Sequence, residues 1–177
     1  MRRSSSDSSI VSTETFDLTR QLDAAHGVYE AAFLRVAPER RAVFERHAAK
    51  AGYLGVAAVT ADGAMVGMAY GYLAHPGDWW SDMVRPHLAD AGQLAAISDA
   101  FAIAEVAVLP AYQGHGIGGR IIDDLLARIH ARYALLGVYT DNSMARHVYE
   151  KRGFIVLTAP FRFFAGDRPY VVMGATL

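Results

Sequence analysis

Hydrophobic positions along this chain recur in two rhythms, and the switches between them divide it into elements. Leu22, Ala25, Val28, Tyr29, Ala32 and Phe33 repeat every three or four residues, the stripe of a helix over 22–34. Pro38 suits the first turn of a second helix running to about residue 50. Before them, residues 10–18 read as a first strand. Residues 53–60 and 64–73 are strand-like, and Ala61-Asp62-Gly63 between them is a hairpin turn. Both rhythms then break over 75–92, where Pro76, Gly77, Trp79, Trp80 and Pro86 predict a loop.

Beyond that break the pattern resumes. Residues 101–109 read as a strand, and 116–132 as a helix striped by Ile117, Ile121, Ile122, Leu125 and Ile129. A strand follows over 134–139, then a short helix over 143–152 with Asp141 or Asn142 as N-cap and Gly153 as its stop. Strands over 154–158 and 170–175, turned at Gly166-Asp167, complete the order. The expected fold class is α/β (α+β): a mixed sheet flanked by helices and antiparallel in its first half. A right-handed parallel crossover is expected over 101–139.

Composition narrows the function classes. The 177 residues fit one domain, 53% of them are apolar, and the net charge is −1. No basic block points to nucleic acid, and no apolar run is long enough to span a membrane. The absence of cysteine removes a thiol nucleophile and Cys-ligated zinc. The histidines form no His-Glu-x-x-His pair, so no metal is expected. Residues 1–9 read as a disordered, mobile tail ahead of a domain over 10–177, and a cytoplasmic location is expected.

The densest chemical signal is Gln113-Gly114-His115-Gly116-Ile117-Gly118-Gly119, between a strand and a helix. Closely spaced glycines admit a ligand close to the backbone, and a helix N-terminus adds free N–H donors: a phosphate site. Gly114-x-Gly116-x-x-Gly119 matches a dinucleotide fingerprint literally. Two features oppose that ligand. Pro110-Ala111-Tyr112 separates strand from glycines, and only 36 residues follow Asp141, too few for further βα units.

The intervening residues point elsewhere. Val106-x-Val108-x-Pro110-x-x-Gln113-x-x-Gly116-x-Gly118 resembles the acetyl-CoA signature of the GNAT N-acetyltransferase superfamily. Downstream, Asn142-x-x-Ala145-x-x-x-Tyr149-x-x-x-Gly153-Phe154 resembles that family's closing segment. Gln113 stands where arginine is commoner, which shifts pyrophosphate binding towards backbone donors.

The resemblance implies a GNAT acyl-CoA N-acyltransferase fold and direct transfer of acetyl from acetyl-CoA to a primary amine in a ternary complex. It implies that Val106, Ala107 and Val108 pair with the pantetheine arm while Gln113 to Gly119 hold the pyrophosphate. Asn142, Ala145 and Tyr149 share one helix face. The resemblance turns that face to the thioester, with Tyr149 as general acid. Glu105, expected on the strand face of Phe101, Ile103 and Ala107, is the expected base, acting through water. An ion pair with an arginine would equally explain it, as capping would explain Asn142.

Asp78, Trp79, Trp80 and Asp82 are the expected acceptor contacts, their carboxylates and ring faces suiting a cationic amine. The acceptor class stays open between small-molecule and protein or peptide amines, and a homodimer is possible. The rival function is a non-catalytic acyl-CoA sensor on the same fold.

Overall fold

The computed structural model describes residues 11–177. Its core is one seven-stranded sheet, formed by β1 (Ser12–Thr15), β2 (Leu54–Val59), β3 (Met65–Leu73), β4 (Ala100–Val108), β5 (Tyr133–Tyr139), β6 (Ile155–Val156) and β7 (Tyr170–Thr176). The spatial order is β1-β2-β3-β4-β5-β7-β6. Every neighbouring pair is antiparallel except β4 with β5. The mixed sheet, its antiparallel first half and the parallel crossover therefore match the expectation. Residue 10, the first of the expected opening strand, and the 1–9 tail lie outside the described residues.

Five α-helices cover the faces: α1 (Leu22–Phe33), α2 (Glu39–Ala48), α3 (Trp79–Asp90), α4 (Ile117–Leu126) and α5 (Ser143–Glu150). On one face, α4 and α5 bury Ile117, Ile121, Ile122, Leu125, Tyr149 and Phe154 against Val56, Ile103, Leu136 and Met173. On the other, α1 and α2 bury Val28, Tyr29 and Phe44 against Ala57, Met68, Tyr70 and Ala107. A third cluster packs Val84 and Leu88 of α3 on Ala100, Leu135 and Val172.

Three expectations need correction. The loop over 75–92 is largely α3. Its buried positions, Ser81, Val84 and Leu88, stand at helical spacing, a short stripe obscured by the helix breakers around it. Asp82 of the first turn accepts from the Gly77 N–H at 3.0 Å and secures the entry, while Pro86 is held inside the helix. Second, α4 stops at Leu126; Ile129 and Ala131 still pack on the core, but as the chain turns into β5.

The third correction concerns β4. Tyr70 pairs with Glu105 but Gly71 with Ile103, so Ala104 is an extra residue, a β-bulge. The bulge resets the alternation. Phe101, Ile103, Val106 and Val108 pack towards α4 and α5, whereas Ala104 and Ala107 pack towards α1 and α2. Glu105 joins the latter face, where Arg40 of α2 meets it, and does not share a face with Phe101 and Ile103 as strict alternation predicts.

Candidate active site

Pairing between β4 and β5 begins at Ala100 with Tyr133 and ends at Ile103 with Leu136. Past the bulge, β4 stays paired to β3 alone, leaving its other backbone edge without a strand. A splayed gap between parallel strands can accept an extended chain bearing amides, by the logic of an added strand. Val106 and Val108 lie on this edge, both half-buried. The Gln113 side chain donates from Nε2 to the Val108 carbonyl at 2.9 Å. It therefore ties the loop back to the end of the strand.

The glycine loop follows at once. Gly116 caps α4 in the left-handed region at φ 76°, and Gly114 sits at φ 79°. A Cβ on either would meet only open space, so these glycines serve backbone shape and not internal packing. The first bond closing the helix runs from the Arg120 N–H to the Gly116 carbonyl at 3.1 Å, leaving the N–H groups of Ile117, Gly118 and Gly119 without intrahelical acceptors. His115 is exposed on this loop.

Gly119 has a different reason. A side chain there would collide with the Arg152 guanidinium, which grips Asp123 of α4 through Nε at 2.6 Å and Nη2 at 2.9 Å and also donates to the Val148 carbonyl of α5 at 2.8 Å. That clamp fixes α5 beside the start of α4. The loop as a whole fits a diphosphate bearing an amide-rich arm: open left-handed glycines, free helix N–H groups, then an unpaired strand edge.

Asn142 caps α5, its side chain accepting from the Ala145 N–H at 3.1 Å. Ala145 is half-buried. Tyr149 is buried, packs on Phe154 at 5.8 Å between ring centroids, and has no hydrogen-bond partner among the described residues. Burial first, and then the Glu105 carboxylate, push its phenol up to about 12. At neutral pH it is a protonated donor.

Glu105 keeps 9% of its side chain open and is bound by Arg40 at 2.5 Å. Two effects oppose each other there. Burial favours the neutral acid and the guanidinium favours the carboxylate; burial wins and carries the carboxyl up to about 7. The Arg40 guanidinium also lies 4.8 Å from the centre of the Tyr29 ring.

Beside this pair opens a cleft of about 660 Å³. Ala102, Ile103 and Ala104 of β4 and Gly137 of β5 line it where the two strands part. One wall is α2, with Arg40, Arg46 and His47 followed by Lys50; aromatic Tyr72, Trp79, Trp80, Phe163 and Tyr170 supply much of the rest. Gly137 is required here, because any side chain would occupy the place of the Tyr170 ring.

The predicted tryptophans thus belong to the cleft, but the predicted carboxylates do not. Asp78 is buried and ion-paired to Lys50, and it also accepts from the His75 N–H at 3.3 Å. Asp82 accepts from the Gly77 N–H and is not part of the cleft lining. The helix 38–50 was legible in sequence, but its role as a cleft wall was missed. The signal was available: Arg40, Val43, His47 and Lys50 repeat at i, i+3, i+7 and i+10, a face too polar to be core.

Fold and site together define a class. A mixed sheet whose two parallel strands part after Ile103 and Leu136 carries a glycine loop that opens a helix and a cleft lined by aromatic side chains. The chain belongs to the Acetyltransferase (GNAT) family, whose model matches residues 22–154. It is 31% identical over 149 residues to the GCN5-like protein acetyltransferase Rv2170 of Mycobacterium tuberculosis, covering 80% of this chain and 72% of that one.

The fold recurs in the ribosomal-protein-S18-alanine N-acetyltransferase of Escherichia coli, with a TM-score of 0.66, 19% identity and 94% of each chain covered. It recurs also in the NatC complex bound to Gag peptide and CoA, with a TM-score of 0.66, 17% identity, and 94% of this chain and 98% of that one covered. The chain is a GNAT-family acetyltransferase. Among the described residues, no helix is long and apolar enough to cross a membrane, and no cluster of three metal-ligating side chains occurs.

Proposed function

We propose that this acetyltransferase moves acetyl from acetyl-CoA directly to a primary amine held in the aromatic cleft. The observation that carries the reading is the split of β4 from β5 at Ile103 and Leu136, with the cleft on one side and the Gly114–Gly119 loop beyond. Acetyl-CoA, when bound, supplies an acyl group activated as a thioester. Backbone N–H groups of Ile117, Gly118 and Gly119 hold its diphosphate, and the free edge of Val106, Ala107 and Val108 holds its arm. Asn142 acts by capping the helix that presents Tyr149, and Ala145 leaves space on that face.

Two proton movements complete the chemistry. Glu105 accepts the proton of the acceptor ammonium through a water; Arg40, its ion-pair partner, is the residue of the two that lines the cleft. The Tyr149 hydroxyl donates to the departing sulfur, a role that its raised pKa supports by keeping it protonated. The chain contains no cysteine, so direct transfer requires no covalent enzyme thioester.

Tyr149→Phe tests the assignment. Loss of a general acid lowers kcat by about 10²–10⁴-fold while acetyl-CoA still binds. An unchanged kcat removes Tyr149 from the chemistry. A protein that binds acetyl-CoA but turns over no amine in a broad panel is a sensor and not an enzyme.

A further inference from the structure

The charges around the cleft are unevenly placed. Every charged side chain lining it is basic: Arg40, Arg46 and Lys50. The carboxylates that balance two of them, Glu105 for Arg40 and Asp78 for Lys50, are not part of the lining. Arg46 is exposed and has no carboxylate partner among the described residues. His47 reports the field these groups make. Burial, and then Arg40, Lys50 and Arg46, hold its imidazole down at about 4, so it is neutral in use. Its Nδ1 shares a hydrogen bond with the Tyr70 hydroxyl at 3.0 Å.

Such a wall disfavours a polycation, whose second ammonium would face Arg46 or Lys50 with no carboxylate in the lining to receive it. It favours an anion. Taking the proposed acetyl transfer as given, we infer that the acceptor is a small amine that also carries a carboxylate, with an apolar or aromatic body: an amino acid or a close analogue. The carboxylate pairs with Arg46, among the described residues the lining cation without a carboxylate partner. The body lies against Trp79, Trp80 and Phe163.

The amine reaches towards the Arg40–Glu105 end of the wall. Six residues of helix separate Arg40 from Arg46, a span of about 9 Å, within reach of such a molecule with its two arginine partners. The basic wall has a second effect. It disfavours the ammonium form of the acceptor and so assists the deprotonation that must precede attack.

Matched pairs of acceptors test this: leucine with isoamylamine, phenylalanine with phenethylamine, and spermidine as the polycation. Initial rates give kcat/KM with acetyl-CoA, and thermal shift without acetyl-CoA gives binding. The carboxylate member of at least one pair is expected to exceed its decarboxylated partner by about tenfold in kcat/KM, the worth of one charge-assisted contact, with spermidine poorest. Arg46→Gln, a change at an exposed position, is expected to bring that ratio within about threefold, because the contact it removes is the discriminating one.

Equal rates within the pairs, a preference for spermidine, or acetylation of protein lysines only would overturn the inference while leaving acetyl transfer intact. If no amine is turned over, the acetyl-transfer reading falls. The binding arm then decides alone: equal shifts within the pairs, or no shift at millimolar acceptor, overturn the carboxylate preference.

Discussion

Glu105 and Arg40 set each other's ionisation. Burial lifts the carboxyl to about 7 although a guanidinium stands 2.5 Å away, so desolvation is the larger effect. A base must be deprotonated to act; kcat/KM is therefore expected to fall below pH 7, along an acid limb set by Glu105. His47, held near 4, does not titrate in that range. Arg40→Gln removes the group that opposes burial, so the limb should move to higher pH. A pH series of kcat/KM on both proteins reads this directly, and an unmoved limb would exclude Glu105 as its source. The sign for stability follows. A folded pKa raised above the ordinary 4.5 means the native state binds its proton more tightly, so this carboxyl lowers stability as pH rises from about 4.5 to 7. Glu105→Gln removes that slope, which denaturant unfolding at pH 5 and pH 8 measures. From the sequence, Glu105 stood out as a carboxylate in an apolar strand. Its partner did not, because Arg40 lies 65 residues away and only the packing of α2 joins them.

At the scale of the element, β4 holds the site together. Its bulge lies opposite Gly71, and a side chain on Gly71 would run into the Ala102 carbonyl and the Phe101 ring. Backbone cannot yield as a flexible side chain can, so Gly71→Ala is expected to cost about 3 kcal/mol, the upper end for overpacking. Chemical denaturation measures it; a loss below about 1 kcal/mol would mean that the strand pair moves apart freely. Elements with a continuous period were legible: α1, the start of α4 and the hairpin at Gly63 stand where apolar spacing and turn residues put them. The helix α3 was not. Its stripe is only three residues long and begins within five residues of Pro76 and Gly77, so local breakers outweighed it. The bulge was also invisible, since nothing distinguishes Ala104 from any other alanine in an apolar run.

For the molecule as a whole, the proposed donor site joins the glycine loop, split sheet and cleft, so ligand binding should raise global stability. At a hundredfold excess over its Kd, acetyl-CoA should add about 2.7 kcal/mol. For a domain of this size, that is a rise in Tm of about 5–10 °C. NAD should give none; a shift with NAD and none with acetyl-CoA would return the glycine loop to its literal dinucleotide pattern. The glycine loop and the closing segment made the family legible because each is built of contiguous residues. The cleft was largely hidden, since α2, α3, β3, β4, β5 and the segment before β7 contribute to it from remote parts of the chain. That dispersion explains why Asp78 and Asp82 looked suited to an amine until their partners, Lys50 and Gly77, were in place.

The extra residue at Ala104 works like a frameshift in a two-letter code of inside and outside. Upstream of it, odd positions face the α4–α5 layer; downstream, even positions do. A comparison or design that treats β4 as nine residues in a single phase will invert the facing of everything from Glu105 to Val108. Sequences related to this one should therefore be compared over β4 in two registers. Deleting Ala104 would take out the shift itself: strict alternation would return, with Glu105 and Val106 keeping the sides they now occupy.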